Sequence, residues 1–515
     1  MKRVLFLLVV VALVRVGVGQ DREFGFGWIP ERFEDMPDSI KVSSVDVAPG
    51  CANCDSVDSI DISHEMPPIG NQSSQGSCAA WAMGYYHKSH TEWLEDTTLD
   101  LADPHNQFSP AFIYNQVNCG VDGGSRFSHI GQLIRLQGCA DLVDCPYNVR
   151  DYRSWPSESA YFNALPYRAQ RGYSISTADT AGINMIKQRL CNGQTTVLGI
   201  LCWSNFANIN AYDTVYCVSD VTGSLLGGHG VCVTGYNDNK MTNDGPGAFR
   251  IANSWGTGWG SRGYFWMSYR AVMDTLTSGQ AGYYMTDRIG YQPKLIARLK
   301  VSHRSRCKVG FALGAGRWSN PLWHQDFRSW RGWRVPLDSL PFPDQNIVLD
   351  MTEAESLLVT GRTDSAYVLC RDDRRDSVTG TIDFFQVEHL DSGWILVSPD
   401  PPVQIPDYLT AAFAVVTLNS GVASRDEGGR MKHEWEPATI VRDVLTLLKG
   451  MTRQNGDCPS GGGPVPVLLL DLAGREVMPL RPGQNDIRHV APGVYFARTA
   501  ERGRRSAVSK VVIQR

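Results

Sequence analysis

The run Gln72-Ser73-Ser74-Gln75-Gly76-Ser77-Cys78-Ala79-Ala80-Trp81 constrains this chain more than any other stretch. A Gly-Ser pair feeds a cysteine that opens an apolar run, Ala79 to Tyr86. That pattern predicts a helix start, with Ser77 as its N-cap. A cysteine in a first helical turn feels unpaired N–H groups and the positive end of the helix dipole. Both favour the thiolate, which is the nucleophilic form. Gln72, upstream of the cysteine, is placed to donate its side-chain amide to an oxyanion formed where Cys78 attacks a carbonyl.

Two later segments supply the rest of a thiol-acyl site. Gly227-Gly228-His229-Gly230-Val231-Cys232-Val233 sets a histidine at the mouth of a β-rich apolar run. Ile251-Ala252-Asn253-Ser254-Trp255-Gly256-Thr257-Gly258-Trp259-Gly260 sets an asparagine before a Trp/Gly turn. A cysteine followed far downstream by His and then Asn is a nucleophile, its acid/base and an orienting amide.

At these residues the chain resembles the papain-like cysteine peptidases, the C1 family. The shared order is Gln72, Cys78, His229, Asn253, with Asn71-Gln72, Gly76-Ser77-Cys78, a His-Gly-Val run ending in Gly235-Tyr236, and Asn253-Ser254-Trp255-Gly256. The match runs over about residues 60 to 287. Two departures from the plant and lysosomal members stand out: Gln75 where they carry a half-cystine, and Ala79 where they carry Trp. The resemblance implies a two-lobed α+β domain with Cys78 on one wall of a cleft and His229 on the other. It further implies that Gly123 and Gly124, with Gly228, line the substrate path, and that Trp255 shields an Asn253–His229 bond from water. The glycines flanking His229 leave its neighbouring pocket open, which predicts tolerance of large apolar or aromatic side chains.

In that chemistry Cys78 attacks the scissile carbonyl, and His229 gives its proton to the leaving amine. A His⁺ partner and a helix terminus together make a thiolate–imidazolium pair the expected resting form. Asn253 orients the ring; Gln72 and the Cys78 N–H form the oxyanion hole. No cofactor or metal is expected. His87 and His90 share a helix face but lack a Cys or carboxylate pattern, and Cys51-x-x-Cys54 has no second pair to complete a zinc site, so it reads as a local disulfide.

The N-terminus reads as a secretory signal over residues 1–19. Lys2 and Arg3 precede an apolar Val4 to Val14, and Gly17-Val18-Gly19 is a small-x-small cleavage site. Apolar stretches are too short for a transmembrane helix. Export makes the thirteen cysteines disulfide candidates, with Cys78 left as the free thiol and Cys307 and Cys370 as one possible pair. A net charge of −4 gives no reason to expect a nucleic acid or anionic-membrane partner.

Texture divides the remainder. Residues 20–58, rich in Asp, Glu, Pro and Ser, read as a short prosegment or N-terminal extension. The peptidase domain spans 59–290: helices to about Leu94, over 107–119 and over 128–137, then strands from Val197 onward. Short apolar strands between turns predict an all-β sandwich over 291–418. A polar linker follows at 419–436. Residues 437–515 resemble the C-terminal (Por) sorting domain of type 9 secretion substrates, a small β-sandwich. The likeness rests on Asp471-Leu472-Ala473-Gly474-Arg475, Pro492-Gly493-Val494-Tyr495-Phe496 and Lys510-Val511-Val512-Ile513. It implies export through the periplasm to the outer surface or medium, with the type 9 machinery as a partner. The expected activity is that of a secreted cysteine endopeptidase acting on proteins or peptides through a Cys78 thioester. Two rivals are a surface adhesion protein whose papain-like domain is weakly active or inactive, and a papain-like transpeptidase.

Overall fold

The computed structural model describes residues 24–42, 57–327, 337 and 339–418, and the backbone of six short strands between 423 and 513. Residues 1–19, Cys51 and Cys54 lie outside the described residues. Two compact units divide the chain, Met1–Asn419 and Ser420–Arg515.

The first unit is built on the cysteine helix. It is α-helical at Cys78–Ala80, widens to a π-helix over Trp81–Lys88, and returns to α over Ser89–Glu95. Ser77 does not cap it: the Ser77 hydroxyl pairs instead with Tyr147 Oη at 2.9 Å. The helix is buried nearly all round over Cys78–His90, so its polar residues need internal partners. His87 finds them in Thr195 Oγ1 and the Met285 N–H, each at 2.8 Å. The buried Lys88 ammonium pairs with Glu92 and Asp287. These bonds pin the helix to the strands behind it. Pro110–Val117 and Phe127–Gln137 are the other helices of this lobe foreseen from the sequence. The helices Glu158–Ala164 and Thr180–Cys191 were not among those expected.

A nine-stranded sheet forms the second lobe. Leu225–Thr242 is its longest strand and lies antiparallel between Thr196–Trp203 and Gly245–Ala252. The register sets Ile200 opposite His229, and Cys232 opposite Ala252. One edge is supplied by the N-terminal extension: Lys41–Val42 pairs in parallel with Ala169–Ser176. Among the described residues, few of the expected disulfides occur. Cys139, Cys202, Cys217, Cys232 and Cys370 are buried thiols, which rules out a Cys307–Cys370 bridge; Cys191 is disulfide-bonded. The buried thiols sit in apolar surroundings as small hydrophobes.

Residues 295–418 form two antiparallel sheets, Ile347–Asp350 / Leu295–Ser302 / Gly380–His389 / Ile395–Val397, with Val403–Ile405 also paired to Gly380–His389, and Asn320–Asp326 / Val309–Arg317 / Ser365–Asp372 / Ala411–Thr417. Their core is continuous with that of the helical lobe. The boundary is also bridged by charge. Arg168, buried, binds Asp350 at 2.7 Å and Glu353 at 2.9 Å, and Arg298 binds Glu158 at 2.5 Å. In the second unit, Val467–Leu470, Glu476–Leu480, Gly493–Thr499 and Val508–Ile513 make a four-stranded antiparallel sheet. A strand pair, Ala423–Arg425 with Met431–His433, occurs within the stretch expected to be linker.

Arg168→Ala would leave the buried Asp350 carboxylate without its cation, at a cost of about 3–5 kcal/mol. Thermal unfolding of the variant is expected to start at a lower temperature. An unchanged unfolding profile would show that this ion pair does not hold the boundary.

Candidate active site

The start of the cysteine helix lies against the histidine strand. A Cβ on Gly230 would sit 2.8 Å from Ala79 Cα and 3.1 Å from the Cys78 carbonyl oxygen, so only a glycine permits this approach. Cys78 and His229 are thereby brought to one place from distant parts of the chain.

The Asn253 position follows from strand pairing. Asn253 ends the Gly245–Ala252 strand, next to the His229 strand, and its Oδ1 lies 2.6 Å from His229 Nε2. The Ser254 N–H donates to that same oxygen at 2.8 Å, which identifies it as the acceptor. Nε2 therefore carries a hydrogen, and in the neutral ring Nδ1 holds the free lone pair. Nδ1 is buried and has no hydrogen-bond partner among the described residues. Trp255 packs on the imidazole with ring centroids 4.7 Å apart, and Tyr86 Oη holds the Asn253 carbonyl at 2.8 Å.

Gln72 faces the same point. Its Oε1 accepts from Ser254 Oγ at 2.5 Å, which aims Nε2 outward. Nε2 then donates to two carbonyl oxygens, Gln75 at 2.8 Å and Gly25 at 3.1 Å. Gln75 itself replaces the absent half-cystine with two hydrogen bonds, to the carbonyls of Asn148 and Val149. Ser254 lies inside a recognised motif, but no pattern marked it as the group that orients Gln72.

The cleft is filled by the chain's own residues 24–29. The Gly27 and Trp28 N–H groups both donate to the Gly228 carbonyl at 3.0 Å. Ser125 N–H donates to the Gly27 carbonyl at 2.7 Å, and its carbonyl accepts from Ile29 N–H at 2.9 Å. The edge contacts thus fall on Ser125, not on Gly123 or Gly124. Gly124 gives clearance instead, since a Cβ there would meet the Gly27 carbonyl oxygen at 2.0 Å. Gly123 folds back on Val121. The Trp28 indole is buried over Gly199 and Gly279, whose Cβ positions would fall 2.1 and 2.3 Å from its ring. Phe24 stacks on Trp255 at 4.5 Å, and Phe26 meets His229 edge-on at 6.0 Å. The space beside His229 is occupied by Phe26 and Trp28, with Gly199 and Gly279 clearing the indole. The extension is tied down further along by Glu31, whose carboxylate accepts from Ser128 N–H and Oγ.

This covering changes the electrostatics. Burial pushes the Cys78 thiol up to about 11, against the N–H groups of Gly230, Gly27, Trp28 and Ala79 that face the sulfur. Burial pushes His229 down to about 4, against the pull of Asn253. Burial thus works against the expected thiolate–imidazolium pair while the segment covers the site. Desolvation penalises both charges, and the helix terminus does not overcome it.

With the geometry in view, comparison with known proteins places the domain. The family model for papain family cysteine proteases matches residues 54–282. The chain is similar to an uncharacterized peptidase C1-like protein of Acanthamoeba polyphaga mimivirus, 28% identical over 210 residues, which is 40% of this chain and 65% of that protein. It is similar also to the viral cathepsin of Spodoptera litura multicapsid nucleopolyhedrovirus, 26% identical over 204 residues, 39% of this chain and 53% of that protein. The chain therefore spans less than two thirds of either relative. Among solved structures it is similar to xylellain, a cysteine protease from Xylella fastidiosa, at 21% identity and a TM-score of 0.41, covering 52% of this chain and 98% of that one. Residues 54–282 are a papain-family cysteine protease domain.

Alkylation needs the thiolate, so its rate rises with pH through the thiol's pKa. In the full chain the iodoacetamide reaction at Cys78 is expected to stay slow at neutral pH and climb toward about 11. Trp28→Ala, by loosening the segment, should move the profile to lower pH, toward the range of about 3.5–7.5 seen for His-paired thiols. Identical profiles for the two proteins would mean that the segment does not control the thiol.

Proposed function

We propose that the chain is a secreted cysteine endopeptidase held latent by its own residues 24–42. The observation that carries the reading is how the segment engages the cleft. It puts a carbonyl oxygen on Gln72 and backbone donors on Gly228. It lays an extended strand along Ser125, and it buries an aromatic side chain beside Gly199. These are the contacts an extended polypeptide substrate needs. Yet the segment presents N–H groups to the sulfur, and a nucleophile needs a carbonyl carbon.

When the segment leaves, water re-enters and the penalty on both charges falls. His229 Nδ1 takes the Cys78 proton, the thiolate attacks, and Gln72 with the Cys78 N–H holds the developing oxyanion. The imidazolium protonates the leaving amine and water clears the thioester. The pocket that takes Trp28 would take an aromatic or large apolar substrate side chain. Export rests on the N-terminal signal pattern. Surface delivery by the type 9 machinery rests on the motifs between Asp471 and Ile513.

Active-site titration with an epoxide selective for papain-like thiols tests the reading. Stoichiometric labelling at Cys78, faster in Trp28→Ala, with casein cleavage lost in Cys78→Ala, is the expected result. Gln72→Ala should reduce kcat by about 10²–10³ while the protein stays folded. Folded Trp28→Ala protein that neither labels nor cleaves would return the case to a binding protein with an inactive domain. Products joined to added amines in place of hydrolysis would make it a transferase. A peptide-library profile confined to small or acidic side chains would overturn the pocket assignment.

A further inference from the structure

The contacts that hold Ser125 in place run, bond by bond, into the middle domain. The Cys119–Ser125 loop is anchored on one side by Asp122. Its Oδ1 accepts from Gly76 N–H at 2.8 Å and from Tyr114 Oη at 2.7 Å, tying the loop to the approach of Cys78. The Gly120 end is held from its own lobe by Asn118, whose Oδ1 accepts the Gly120 N–H at 2.7 Å, and its carbonyl is reached from the other direction. Arg153 Nε donates to the Gly120 carbonyl at 3.0 Å. The Arg153 backbone carbonyl is in turn held by Arg306 Nη2, a residue of the middle domain. Arg306 is buried; its Nη1 donates to the Pro341 carbonyl at 2.9 Å, and its guanidinium lies over the Trp155 ring at 4.7 Å.

Leu340, beside Pro341, makes the second contact. Gly120 sits at φ +73°, and a Cβ there would meet Leu340 Cδ2 at 2.5 Å, so the leucine presses on bare backbone. Leu340 is fixed by bonds of its own: its N–H goes to the Arg304 carbonyl at 2.9 Å, and its carbonyl takes the Arg306 N–H at 2.8 Å. Trp155 and Phe342 meet edge to face at 5.7 Å beside it. Guanidinium fork and leucine thus bear on one loop from the same strap of the middle domain.

We propose that the middle domain is a working part of the substrate-binding edge, with Arg306 and Leu340 as positioning residues that hold the Gly120 end of the loop so that Ser125 can offer its N–H and C=O to an extended chain. This rests on reading Ser125 as the substrate edge. Neither residue touches substrate. Both act through the backbone at Gly120, and a separated peptidase domain would lack both.

Amide hydrogen exchange in the full-length chain tests the inference whether or not the protein hydrolyses anything. Arg306→Met removes both carbonyl bonds while keeping an apolar stem over Trp155. It is expected to speed exchange at Ser125 and Ile29 by about tenfold, the worth of one net hydrogen bond. Exchange along Trp81–Glu95 should not change. Arg306→Lys, which keeps one donor, should fall between. If Arg306→Met does not fold, Leu340→Ala gives the same reading through the apolar contact. In the Trp28→Ala background, the same substitutions should raise KM about tenfold for a peptide long enough to lie along Ser125. Hydrolysis of a single-residue ester should stay within about twofold, since it makes none of those bonds. Unchanged exchange at Ser125 in a folded variant, or equal losses on ester and peptide, would overturn the assignment. Absence of all hydrolysis with altered exchange would count against the peptidase reading and leave this one standing.

Discussion

The close approach of the Cys78 helix to the His229 strand is the constraint on which the rest depends. It is made possible at Gly230, where any side chain would run into Ala79 and Cys78. From that one contact the other relations follow. The strand register brings Asn253 beside His229, Ser254 then reaches Gln72, and Tyr86 from the same helix closes the loop on the Asn253 carbonyl. A buried polar network of this kind favours one arrangement because its bonds depend on one another. His229 Nδ1 is left without a hydrogen-bond partner among the described residues.

The same burial that holds the network also disfavours charge on the thiol and the imidazole. With Phe24, Phe26 and Trp28 over the cleft, burial raises the Cys78 thiol and lowers the His229 imidazole, so both charged forms are disfavoured. Helix position and a histidine partner favour a thiolate in a half-open site; the desolvation of a closed one outweighs them. The shifts of both groups therefore depend on what occupies the cleft as well as on the site residues.

The middle domain is joined to the peptidase lobes by a shared apolar core, by the buried Arg168–Asp350 pair and by the half-buried Arg298–Glu158 pair. Buried pairs of this type hold a fixed geometry, because separating them strands a charge in low dielectric. That rigidity makes the domain suited to support a loop at the edge of the cleft.

Much of the site was legible in the sequence, because its residues stand in local motifs whose chemistry is particular. Cys78 before an apolar helix, His229 among glycines and Asn253-Ser254-Trp255 each announce a backbone environment as well as a side chain. The central helix and four strands of the nine-stranded sheet were legible for the same reason, from runs of apolar residues, whereas Ala169–Ser176 and Ser278–Asp287 were not. Other features had no local signature. Ser77 looks like a cap, yet its hydroxyl belongs to Tyr147, seventy residues on. The edge residue is Ser125 and not its glycine neighbours, because the Tyr114 hydroxyl already holds the Gly124 N–H. Phe24, Phe26 and Trp28 look like any aromatic cluster in a short acidic extension; their place in the cleft depends on Gly199, Gly227 and Gly279, which share no segment with them. The cysteine count suggested disulfides, but Cys78, Cys139, Cys202, Cys217, Cys232 and Cys370 are buried as thiols, which no local pattern foretold. Residue identity and order thus determined which chemistry the chain can perform. Tertiary structure alone decided which hydrogen bonds are already taken, how much water reaches the thiol, and which distant backbone lies across it, because those depend on contacts between segments that no local pattern records.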